Sequence, residues 1–291
     1  MKDKPQKPDS IRKNKRCRSA FRLLFTLLFL VSIPFLTFGK KPSKPNLLII
    51  HTDEHNFRTL GCYRDLMTED QAYMWGKAVV ETPYIDRLAE EGLICSHFYA
   101  TTPVCSPSRS SFLTGKYPQN TPVVENDIPL STEMVTFAEI LNRHGYATGY
   151  AGKWHLDGMP KPGWEPENNF GFEDNRYMFN RGHWKLIEFV NGEPRVGRKN
   201  GEPSYGPVGD EKTFTTDWFS DRAIDFIRDH KNVPFCYMLS IPDPHGPDKV
   251  REPYNSMFDD QKYKQPINAT KTKEIPGWAP MNSNSYDQNK Y

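Results

Sequence analysis

Apolar positions in this chain fall into short runs separated by polar stretches, and their spacing predicts a mixed fold. Residues 46–51 form an apolar run of strand length, rich in Leu and Ile. Residues 84–91 follow a helical pattern, and 93–99 predict a second strand. Between 132 and 144, Met134, Val135, Phe137, Ala138, Ile140 and Leu141 make a helical stripe that Gly145 ends. A short strand follows at 146–151. Residues 217–230 predict an amphipathic helix with Phe219, Ala223, Phe226 and Ile227 on one face, and 234–241 a buried strand. The stretch 158–207 is rich in Gly, Pro and Asn and is expected to be a long loop or insertion. Strands alternating with helices imply an α/β fold, a largely parallel sheet flanked by helices. Three apolar strands end in polar residues: Asp53 and Glu54 after the first, Lys153 and His155 after another, His245 after the last. In open α/β sheets, sites gather at the carboxyl ends of strands.

One further apolar run, residues 23–38, is broken only by Thr26, Ser32, Pro34 and Thr37. Arg12, Lys13, Lys15, Arg16, Arg18 and Arg22 precede it. A basic segment followed by an apolar one predicts a secretory signal, either cleaved or kept as a signal anchor. Residues 1–44 are therefore expected to be signal and polar linker, and 45–291 the working domain. The expected location is secreted, periplasmic or otherwise extracytoplasmic, with membrane contact only if the segment stays uncleaved. The net charge of +2 over 291 residues makes no global electrostatic case for nucleic acid, and no such partner is expected. Of the five cysteines, Cys17 would leave with the signal. Cys62, Cys95, Cys105 and Cys236 form neither a dense disulfide framework nor a paired metal site. One disulfide among Cys62, Cys95 and Cys236 is open in an oxidising compartment. Asn268-Ala269-Thr270 fits a glycosylation sequon, which matters in a eukaryotic source.

Candidate chemistry centres on Cys105-Ser106-Pro107-Ser108-Arg109. A proline two residues after the cysteine suits the first turn of a helix, and Gly115 is placed to end it. Cys105 then lies at a helix N-terminus, where free N–H groups and the dipole favour an anion, and Arg109 adds fixed charge one turn on. Asp53 and Glu54 are adjacent carboxylates at a strand end, which repel unless a cation holds them. Hard cations such as Ca²⁺ and Mg²⁺ take such oxygens. His55 and Asn56 are nearby polar candidates. Lys153 and His155 lie two apart, so an extended segment points both into one cleft. A lysine there neutralises an anionic substrate, and a histidine moves protons near neutral pH. His183 and Trp184 sit in the variable stretch, as sugar contacts or as surface packing.

These segments resemble the type I sulfatases, in family order from about Pro45 to about Tyr254. Cys105-Ser106-Pro107-Ser108-Arg109 followed by Leu113-Thr114-Gly115 is similar to the site where the family converts cysteine to formylglycine. Asn46 through Glu54 resembles the first strand with its metal-binding end, Thr82 through Gly92 the next helix, Gly145 through Leu156 the second signature, and Asp243-Pro244-His245-Gly246-Pro247 a later loop. The resemblance implies an alkaline phosphatase-like fold and a sulfuric ester hydrolase acting on a sulfate ester, by default of a carbohydrate. It implies Cys105, Arg109, Lys153, His155 and His245 as catalytic, and Asp53, Glu54 and residue 105 as ligands of Ca²⁺, or of Mg²⁺ in its place. The family usually carries a second aspartate where Glu54 stands. A maturation enzyme would oxidise Cys105, and the aldehyde would hydrate to a gem-diol. One hydroxyl attacks sulfur and releases the alcohol; the second then loses its proton and expels sulfate, restoring the aldehyde. His245 is implied as general acid or sulfate ligand, and Arg109 as support for residue 105. The family's further acidic Asp-Asn/Gln-Gly does not follow His245, and members are longer, so the expectation is an N-terminal, truncated part with weak metal affinity and little turnover by itself. Competing expectations are a phosphonate monoester or phosphodiester hydrolase of the same superfamily, and a remnant that only binds anions or sugars.

Overall fold

A computed structural model describes residues 44–159, 163–199 and 202–263. The chain divides into Met1–Lys44 and Pro45–Tyr291. The expected signal segment, Cys17, the Asn268 sequon and the polar tail beyond Pro280 lie outside the described residues. No helix of the described residues is long and apolar enough to cross a membrane.

The main sheet is built from β1 (Leu47–Asp53), β2 (Ala147–Lys153), β3 (Gly163–Trp164), β4 (Asp174–Asn180) and β7 (Phe235–Pro244). A separate two-stranded ribbon pairs β5 (Ile187–Val190) with β6 (Glu193–Val196). The sheet order is β1-β7-β2-β4-β3, parallel throughout except for β3. Strand β7 is buried along most of its length, which explains its unbroken apolar run: both faces of a central parallel strand are covered. Alternate residues go to opposite faces. Tyr150, Met178 and Met238 join one core with Leu113, Trp154 and Phe172, while Ala151, Tyr237 and Leu239 join another with Trp218, Phe219 and Phe226. Gly152 lets β2 lie tight against β7: a Cβ there would stand 1.9 Å from the Ser240 carbonyl oxygen, at a φ of +100°.

Four helices matter here: α1 (Pro83–Glu91), α2 (Cys105–Thr114), α3 (Phe137–Arg143) and α4 (Thr215–Asp229). The stripe predicted from 132 becomes helical only at Phe137, because Thr136 and Glu139 form a reciprocal capping box that fixes the start. Residues 93–99 do not form the predicted strand. They have no neighbouring strand to bond with, and Leu93, Phe98 and Tyr99 stand exposed. The stretch 158–207 is not simply a loop, since it supplies β4 to the main sheet and the β5–β6 ribbon. All four described cysteines are free, so no disulfide joins Cys62, Cys95 and Cys236. Among the described residues, strand β1 is a sheet edge. Leu47, Leu48 and Ile50 on it are exposed, and so are Tyr84 and Leu88 of α1.

Candidate functional site

Because β1, β2, β4 and β7 run parallel, their carboxyl ends meet on one side of the sheet. Asp53 ends β1, Lys153 ends β2, Asp243 lies in the last residues of β7 and His245 just beyond it. Helix α2 places Cys105 at its first residue, half-buried, and Gly115 closes the helix at a φ of 67°. The Ser106 N–H donates to Asn126 Oδ1 at 2.9 Å, and the Ser106 hydroxyl donates to the His155 carbonyl at 2.7 Å. The helix start is thereby tied to two neighbouring loops.

Arg109 is buried beneath this point. It donates to the Lys153 carbonyl at 2.6 Å and to Ser240 Oγ at 2.8 Å, and its Nη2 lies 3.6 Å from Asp53 Oδ2. It locks α2 onto β1, β2 and β7. Lys153, with no exposed side-chain surface, donates to Asp53 Oδ2 and lies 2.6 Å from His183 Nε2. Burial alone would favour the neutral acid at Asp53. The His183 hydrogen bond and the charges of Arg109 and Lys153 outweigh it and hold the carboxyl well below the usual range.

Asp53, Cys105 and His245 each offer a ligand atom, all within 4.8 Å of one another. The set fits a divalent cation. It contains a carboxylate kept ionised, a residue whose conversion would replace sulfur with oxygen, and an imidazole. Buried Arg109 Nη2 makes no hydrogen bond among the described residues and faces the Asp53 carboxylate at ion-pair distance. Glu54 stands outside this group. Its backbone is left-handed, φ 57°, and its largely exposed side chain pairs with His245 Nε2 at 3.3 Å. His55 is held by Thr52 and Thr59, and Asn56 caps the turn at Arg58, so neither joins the ligands. Asp243 is taken up by Lys185 and the Thr216 hydroxyl.

His155 Nε2 lies 3.3 Å from Asp127 Oδ1, and its Nδ1 is buried without a partner among the described residues. His183, placed by sequence between sugar contact and surface packing, belongs to the site. It lies 3.8 Å from Asp53 and stacks on His245 at 3.6 Å between ring centroids. Trp184 faces the other way, into a small core with Phe179 and Val196. Asp127, Arg181 and Lys185 were not singled out by sequence. The one signal was the alternation Arg181, His183, Lys185, in which every second residue reaches the site.

His51, His155 and His183 are each pushed down to about 4, chiefly by burial. Unfolded, each takes its proton near pH 6.5. Between about pH 4 and 6.5 the unfolded chain therefore holds more protons, and stability rises with pH across that window. In the metal-free chain the urea midpoint is expected to fall as pH drops from 7 to 4.5, with a shallower fall for His155→Gln. A midpoint flat across that range would contradict the burial argument.

Comparison with known proteins shows the family and the fold. The family model "Sulfatase" matches residues 37–290. The ulvan-active sulfatase of Formosa agariphila is 31% identical over 75% of this chain and 39% of its own length. The N-acetylglucosamine-6-O-sulfatase of Bacteroides thetaiotaomicron is 28% identical, over 79% and 36%. The chain thus spans well under half the length of these relatives. In fold it is similar to the sulfatase-like protein yidJ of Bacteroides fragilis, at a TM-score of 0.58 and 24% identity, covering 78% of this chain and 50% of that one. It is also similar to a protein solved with its substrate D-glucosamine-2-N,6-O-disulfate, at a TM-score of 0.54 and 24% identity, covering 78% and 40%.

Proposed function

The chain belongs to the sulfatase family, and on that premise we propose that the protein hydrolyses a sulfate ester of a carbohydrate. The observation that carries the reading is the meeting of Asp53, Cys105 and His245 within one ion's reach, with Lys153 and Arg109 behind them. The carbohydrate rests on the names of the relatives above. Formylglycine at position 105, formed by a maturation enzyme, would supply the nucleophile, and a divalent cation held by Asp53, residue 105 and His245 would draw charge from the sulfate oxygens. Ca²⁺ suits the oxygen ligands, and Mg²⁺ is the alternative. Export across a membrane is part of the same proposal, on the basic and then apolar pattern of residues 12–38.

The side chains divide the remaining work. Lys153 offers a buried ammonium to the developing charge on sulfate. His155 is neutral near pH 7, and its unpartnered Nδ1 is a base for the hydroxyl that must lose its proton before sulfate leaves. The Nδ1 of His245 lies 2.9 Å from the Gly246 carbonyl. Its Nε2 lies 3.3 Å from Glu54 Oε1, so a cation taking this nitrogen would replace that pairing. Arg109 touches strands rather than solvent, so it positions the residues around 105.

Turnover is tested on sulfate and phosphate esters of one phenol, assayed in parallel on matured protein. Preference for the sulfate supports the reading, and preference for the phosphate contradicts it. Lys153→Ala is expected to cut turnover by roughly 10²–10⁴-fold. Unchanged turnover in that variant would remove Lys153 from the chemistry.

A further inference from the structure

We propose that the cleft between the Asp127 turn and Arg181 binds one neutral, hydroxylated pyranose ring beside the sulfate-reacting groups. Asp127 and Arg181 select the ring and Tyr205 packs against it; the proposal rests on the sulfate ester reading above. The cleft holds about 190 Å³ and is lined by Asn126, Asp127, His155, Arg181, His183 and Tyr205. That is below the roughly 300–1,000 Å³ of sites for drug-sized ligands. It suits a single ring.

Its walls carry matched donors and acceptors. Arg181 Nε donates to Asp127 Oδ1 at 3.0 Å, and Nη2 donates to Oδ2. Arg181 Nη1 makes no hydrogen bond among the described residues, and both side chains are about one-third exposed. A guanidinium and a carboxylate side by side offer donors and acceptors to neighbouring hydroxyls while cancelling each other's charge. Burial opposes ionisation of Asp127, but the Arg181 hydrogen bonds and charge outweigh it and keep the carboxylate charged. With the Arg181 and Asp127 charges paired across two hydrogen bonds, this end of the site favours a polar neutral ring over a second anion.

The backbone adds independent support. Asp127, His155 and Arg181 have φ of 69°, 59° and 77°, left-handed values that residues other than glycine seldom adopt. Such strain persists where the surroundings over-determine it, typically at ligand sites. Here the three strained residues bond to one another, and Asn126 and His155 bond to Ser106, the neighbour of Cys105. The cleft is thereby held at a fixed place relative to position 105. Tyr205 is oriented by stacking on Trp184, with centroids 4.3 Å apart.

The test uses the Cys105→Ser chain with Ca²⁺ and isothermal titration. The probes are 6-sulfated N-acetylglucosamine, 6-sulfated galactose and p-nitrophenyl sulfate. Arg181→Met and Tyr205→Ala are expected to lower the affinity for a sugar sulfate relative to the aryl sulfate by about tenfold or more, with a smaller drop for Arg181→Lys. A thermal melt confirms folding of each variant, and the exposed Tyr205 serves if Arg181→Met does not fold. An unchanged ratio, or a parent chain that binds the aryl sulfate and neither sugar sulfate, would overturn the subsite while leaving the sulfate reading intact. A parent chain that binds none of the three esters would sink the sulfate reading, and the subsite with it.

Discussion

Asp53→Ala is expected to damage the protein twice, in metal binding and in folding. The carboxylate is the acidic partner of both Lys153 and Arg109, whose side chains are 0% and 4% exposed. Removing it takes a hard oxygen ligand from the cation and leaves two buried cations facing each other. Breaking a buried pair by deleting one partner costs about 3–5 kcal/mol. Titration with Ca²⁺ should give no saturable binding, and the urea midpoint should fall well below that of the parent. Asp53→Asn keeps the shape and loses only charge, so it should fold better than Asp53→Ala and still fail to bind metal. Retained metal dependence in either variant would show that the ligand group lies elsewhere.

Cys105→Ala is expected to do the opposite: turnover drops below detection while the fold stays within about 1 kcal/mol of the parent, as for a small substitution away from a network. The buried network of Arg109, Lys153, Asp53 and Ser240 does not include the cysteine sulfur. In a host with a formylglycine-generating enzyme, the peptide carrying residue 105 should react with an aldehyde probe and show the corresponding mass. Cys105→Ser should lack the aldehyde in a host that does not convert serine. Finding only unmodified cysteine, in a host that modifies a control sulfatase, would remove position 105 from the mechanism.

Residues at the ends of well-patterned elements were legible in the sequence. Asp53, Cys105, Lys153 and His245 each follow an apolar strand or open a helix, so local pattern was enough to bring them together. Glu54 shows the limit of that reasoning. It is adjacent to Asp53 in sequence, but its backbone is left-handed and its carboxylate meets His245 instead of joining Asp53 and Cys105 in the close group, and nothing in the pattern signals that turn. Arg181 and Asp127 were hidden for a different reason. Arg181 reaches the site only because Asp174–Asn180 joins the sheet, and that strand's polar residues disguise it as loop; Asp127 comes in on a loop tied to the cysteine helix through Asn126 and Ser106. Residues 93–99 failed conversely, since an apolar pattern cannot say whether a partner strand exists.

The edge position of β1 sets a clock on folding. Among the described residues its pairing is with β7 alone, and Phe235 N–H meets Asn46 Oδ1 across 189 residues of chain. At synthesis rates of about 5–20 residues per second, the first strand waits roughly ten to forty seconds for its partner to be made. Leu47, Leu48, Ile49 and Ile50 spend that time without a sheet. Their protection in the cell therefore falls to whatever binds nascent apolar segments, and any product ending before Phe235 leaves them permanently unpaired.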